Sequence, residues 1–92
     1  MDFPGGDTAA YDRVIERMGL ADGKPPAGAL FHMAGATDEG FRVVDIWESV
    51  DAYRRFAERQ IGPLSSAEGF PSPRVSIWEI HNTMSTSPLV AA

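Results

Sequence analysis

Ninety-two residues make one small domain, and a chain of that length buries only about 60–65% of its unfolded surface. It has no Cys, so neither disulfides nor a thiolate zinc site supplements the core, and association with a second copy is the remaining way to bury more apolar area. Thirteen acidic against eight basic residues give a net charge of −5 with no Lys/Arg cluster, which argues against nucleic acid and anionic membrane as partners. No apolar run approaches the ~20 residues of a membrane span, and the start Met-Asp-Phe-Pro-Gly-Gly lacks the basic and apolar regions of a signal peptide, so a cytoplasmic protein is expected.

In chain order, residues 1–4 supply only a stub of strand before Gly5-Gly6. Asp7 and Thr8 are N-cap types, and Tyr11, Val14, Ile15 and Met18 then follow at helical spacing, which predicts an amphipathic helix closed by Gly19. Residues 21–27 carry Gly23, Pro25 and Pro26 and read as a loop. A hairpin is predicted over residues 28–48. After it Ser49 caps a second helix whose apolar stripe is Tyr53, Phe56, Ala57 and Gln60/Ile61, with Gly62-Pro63 as its stop. Residues 64–70 can add a short helical turn. Pro71 and Pro73 bracket an extended link, and residues 75–81, Val-Ser-Ile-Trp-Glu-Ile-His, have the β-branched and aromatic character of a last strand. The domain is placed at residues 1–82, and residues 83–92 are a tail, either frayed or laid across a partner, with its apolar part at Pro88-Leu89-Val90.

The hairpin carries the most information. Two apolar, β-prone runs flank Thr37-Asp38-Glu39-Gly40, and pairing Thr37 with Gly40 sets Ala34 opposite Val43, His32 opposite Asp45 and Leu30 opposite Trp47. Phe31 against Ile46 and Met33 against Val44 then make the second face apolar. A three-residue loop with Gly40 in the left-handed region would slip the pairing and set His32 opposite Ile46. The unslipped register leaves one face wholly apolar, as a helix-covered sheet needs, and is the one expected here.

The order β, α, β, β, α, β predicts an α+β domain: a ferredoxin-like split βαβ with an antiparallel sheet and both helices on one face. The expectation is that the helices cover the apolar face, leaving the one with His32, Asp45 and Trp47 open. Two such faces meeting would bury apolar surface at about 25 cal/mol per Å² and enclose the mixed residues, which points to a homodimer with an internal pocket.

The stretch Phe41-Arg-Val-Val-Asp-Ile-Trp-Glu-Ser-Val-Asp-Ala-Tyr, a strand ending in Trp47-Glu48-Ser49 and running into a helix, resembles the dimeric α+β barrel superfamily, in the form of the antibiotic-biosynthesis-monooxygenase-like domains. The resemblance covers roughly residues 1–82. It implies a dimer of ferredoxin-like subunits with a pocket inside each sheet, lined by the Trp at the position of Trp47. Members include cofactor-independent oxygenases acting on aromatic polyketides, haem-degrading enzymes, isomerases and proteins with no assigned activity. Phe56 stands where many members carry a His.

The candidate chemistry follows from the His32–Asp45 pair. A carboxylate that accepts from one imidazole nitrogen fixes the tautomer and leaves the other nitrogen as a general base. In an apolar pocket it would take a phenolic or acidic C–H proton, and the anion could meet O₂ or be reprotonated elsewhere. The bland alternative is two polar groups satisfying each other across a sheet. His32 and Asp45 are thus the candidate catalytic residues, with Trp47, Leu30 and Val43 as ligand-binding wall. His81 joins them if its strand face, shared with Glu79, turns inward; otherwise it is an exposed residue at a strand end. Tyr11 and Tyr53 read as packing. No cofactor and no tight metal motif is expected. The partners expected are a second copy and a small apolar or aromatic ligand. Cofactor-free monooxygenase, isomerase or cyclase, and non-catalytic binding or structural dimer stay open as uses of such a cavity.

Overall fold

Local capping chemistry sets the first helix. In the computed structural model, which describes residues 1–86, the Asp7 carboxylate accepts from the Ala10 amide at 2.7 Å and starts α1 (Thr8–Met18). Gly19, at φ 77°, ends it in the left-handed conformation that a side chain disfavours. Before α1 lies β1 (Asp2–Pro4), the expected stub.

The hairpin forms β2 (Ala29–Thr37) and β3 (Gly40–Trp47) in the unslipped register, with Thr37 against Gly40, Ala34 against Val43, Met33 against Val44, His32 against Asp45 and Phe31 against Ile46. The register breaks only at Leu30. Ala29, and not Leu30, faces Trp47, because a bulge absorbs the extra residue. β1 pairs antiparallel with the other side of β3, giving a three-stranded sheet in the order β1-β3-β2.

The second helix departs from expectation. Ser49 caps α2 (Val50–Phe56) by accepting from the Ala52 amide at 3.1 Å, but Gly62-Pro63 does not stop the helical path. A π turn over Ala57–Ile61 leads directly into α3 (Gly62–Ala67), with Pro63 in the first turn of that helix. The wider π turn relieves the clash of the proline ring with the preceding turn, and Pro costs little where no helical N–H partner is due.

The last strand is also corrected. Only Arg74 bridges to Asp2, with N–H···O distances of 2.9 and 2.7 Å, and residues 75–86 form no regular structure. Among the described residues none beyond Arg74 pairs with a strand. Pro88-Leu89-Val90 lies outside the described residues. What stands is an α+β chain with a small antiparallel sheet and helices on one face, compatible with a ferredoxin-like arrangement.

The faces of that sheet are the reverse of the expectation. Phe3, Phe41 and Val43 are buried with Ala10 of α1 and with Phe70, the Phe3 and Phe70 rings 4.5 Å apart between centroids. Asp45 and Trp47 share the parity of Phe41 and Val43, so they and His32 lie beneath the helices. The face with Met33, Val44 and Ile46 is open. The physical reason is volume: Phe41, Val43 and Trp47 carry more apolar bulk than Arg42, Val44 and Ile46, and they outweigh the cost of covering one polar pair that satisfies itself. Glu68, just past α3, closes the helical layer by receiving Arg13 and Arg17 of α1 at 3.2 and 3.0 Å.

Candidate functional site

Because the mixed face lies inside, the cavity sits between the sheet and the helical layer of a single chain. It is a cleft of about 500 Å³, open to solvent on one side and within the range of small-molecule sites, and its wall is mainly apolar. α1 contributes Tyr11, Val14 and Ile15, β2 and β3 contribute His32, Val43, Asp45 and Trp47, and Phe56 and Ile61 come from the second helical stretch. The pocket expected inside a dimer of sheets is therefore corrected to one beneath the helices.

The polar line across this cavity is a three-residue chain. Asp45 Oδ1 lies 2.5 Å from His32 Nδ1, and the Tyr11 hydroxyl meets His32 Nε2. The Tyr11 and His32 rings are nearly parallel, 8° apart in plane with centroids at 5.9 Å. Such an arrangement places the phenol at the edge of the imidazole, on its nitrogen lone pair. The side chain of Asp45 is 10% exposed and that of His32 31%, so the pair is shielded but reachable. A carboxylate can only accept, so Nδ1 carries the proton and donates to Asp45, and Nε2 accepts from the Tyr11 O–H. Burial, with the charges of Asp45 and Asp12 adding to it, pushes the Tyr11 phenol up to about 12, which keeps it a donor at neutral pH.

Trp47 forms one wall. Its ring packs on Phe56 and Tyr53 at 5.4 and 5.8 Å between centroids. Its Nε1 is buried with no hydrogen-bond partner among the described residues. Burial, then the charge of Asp45, raises the Tyr53 phenol as well.

The structure brings together His32, Asp45, Trp47 and Val43, whereas Leu30 lines the cavity while remaining 60% exposed on its bulge. His81 is not among them; it lies in the exposed stretch after Arg74, away from the cavity wall. Tyr11, expected from its helical spacing to be a packing residue, belongs to the polar line as well. Its place on the stripe with Val14, Ile15 and Met18 signalled that it faces the sheet; which strand position it meets depends on the seating of α1. Among the described residues no group of three or more His, Asp and Glu side chains is placed to hold a metal ion, and no helix is long and apolar enough to cross a membrane. Comparison with family models, curated proteins and solved structures finds no match to this chain.

Proposed function

We propose that the chain is a homodimeric protein that binds a small, largely apolar aromatic molecule in the cavity beneath its helices, with His32 as the proton acceptor of the site, Asp45 its orienter and Trp47 the aromatic wall. One observation carries the reading: a hydrogen-bonded Asp–His–Tyr chain on the wall of a mainly apolar cavity of about 500 Å³. The activity that suits it is proton abstraction from a phenolic or polyketide-like substrate, giving an electron-rich anion that reacts with O₂ as in a cofactor-independent monooxygenase. A second reading, isomerase or cyclase, is favoured by the same chain, because a proton passed to His32 can be returned to another atom of the substrate. A binder without turnover would use the cavity alone.

The test is a titration with 2-naphthol followed by two-dimensional amide and side-chain resonances. Saturable binding of one probe per chain, with the shifts centred on Tyr11, His32, Asp45 and Trp47, is expected. Shifts confined to the open face of the sheet, or no saturation, would end the cavity proposal. For any substrate then identified, His32→Ala is expected to abolish turnover while leaving probe binding measurable. Unchanged turnover would reduce His32 to a structural role.

A further inference from the structure

Resting on the cavity reading, we infer that Tyr11 is the residue that a ligand meets first: its phenol oxygen receives a hydroxyl proton of the ligand and links it to His32, so that the site selects neutral aromatic molecules bearing an O–H donor, phenols or enols, over their ethers. The His32 imidazole has both nitrogens engaged. Nδ1 is committed to Asp45 at 2.5 Å and Nε2 to the Tyr11 hydroxyl, so neither ring nitrogen offers a free lone pair to an incoming group. The phenol cannot easily swing aside. Tyr11 lies within α1, and its ring is held against Phe41 with centroids 4.8 Å apart.

A phenol oxygen that donates its one proton to His32 keeps acceptor capacity of its own. Both Tyr11 and His32 line the cavity, so that capacity is a hydrogen-bond acceptor a ligand can use. A ligand O–H then extends the line to four members: ligand to Tyr11, Tyr11 to His32, His32 to Asp45. Each bond polarises the next. When the ligand ionises, its proton passes to the Tyr11 oxygen as the Tyr11 proton passes to Nε2. The phenol stays neutral, the imidazole becomes cationic beside Asp45, and the ligand carries the negative charge; two protons have each moved one place, a net transfer of one, and no electrons have moved. A ligand that arrives as an anion is disfavoured, because the line ends in the Asp45 carboxylate. At Tyr11 a carbonyl or ether oxygen finds no donor, since the phenol proton is already engaged by His32.

The experiment compares 2-naphthol with 2-methoxynaphthalene, which has the same ring system but no donor, against the full chain and its Tyr11→Phe variant. Wild-type protein is expected to bind the naphthol roughly three- to tenfold more tightly than the ether, the size of one net neutral hydrogen bond. Tyr11→Phe, which keeps the ring on Phe41, should bring the two within twofold, chiefly by weakening the naphthol; a preference caused by the bulk of the methyl group would survive the substitution. Equal binding of both probes by the wild type would overturn the Tyr11 role and leave the cavity reading intact. Binding of neither overturns both. Should the variant fail to fold, the wild-type comparison decides together with His32→Asn, in which the Tyr11 proton loses its imidazole acceptor and the preference is expected to shrink.

Discussion

At the scale of single residues, the chain Asp45–His32–Tyr11 turns a packing residue into part of a site. Its pH response follows from the phenol. Tyr11 titrates near 10 when free and at about 12 in the folded chain, so the folded state holds that proton more tightly. Below pH 10 both states are protonated and the group's contribution is fully present. As pH rises from 10 through about 12 the unfolded chain releases its proton first, and stability falls. Tyrosinate absorbance during alkaline titration should therefore show both phenols, Tyr11 and Tyr53, ionising late, and Tyr11→Phe should remove the Tyr11 share of that amplitude. Ionisation of both tyrosines at the ordinary position in the wild type would contradict the burial of this phenol. The Asp2 carboxyl moves the other way: its hydrogen bond from Arg42 holds it below the usual value, so its contribution is present above that value and is lost on acidification.

At the scale of elements, the hairpin is governed by Gly40. Its φ is 154°, and a Cβ there would lie 2.3 Å from the Phe3 carbonyl oxygen and 2.6 Å from the Gly5 amide nitrogen. The close approach is what brings Gly5 N–H onto the Glu39 carbonyl at 2.9 Å and ties β1 to the turn. Gly40→Ala is expected to destabilise the fold by about 1–3 kcal/mol, read as a lowered urea midpoint with little change in slope. A midpoint equal to wild type would show that β1 can move away from the turn at no cost. The hairpin register was readable in advance because alternate side chains had to sort by polarity and Thr37 and Gly40 had to close the turn. The passage through Gly62-Pro63 was not. Gly-Pro is locally a stop, and the π turn that carries the chain across it depends on Ile61 being drawn into the core.

At the scale of the whole molecule, the chain leaves much apolar surface in water. Met33 on the open sheet face is 54% exposed, and Ile77 and Trp78 beyond Arg74 are 51% and 71% exposed. A second copy laid on that face would cover Met33, Val44 and Ile46, and the stretch after Arg74 offers further apolar side chains to the same contact. Light scattering is expected to give about twice the 10.0 kDa of one chain. Met33→Glu should shift the protein to the monomer while 2-naphthol binding persists, since the cavity lies on the other side of the sheet. A wild-type monomer would remove the dimer from the proposal and leave the cavity in place.

What the sequence by itself determined is everything set by neighbours along the chain or across one turn: the caps at Asp7 and Ser49, the end of α1 at Gly19, the β2–β3 pairing and with it the meeting of His32 and Asp45. Period and turn chemistry act over a few residues, so they can be read locally. Which face of the sheet the helices cover was decided only in three dimensions, by the sum of Phe3, Phe41, Val43 and Phe70 against α1. That seating placed the His32–Asp45 pair inside one chain and set Tyr11 on the imidazole. Alternation along a strand names two faces; only the volume packed against each tells which one is inside.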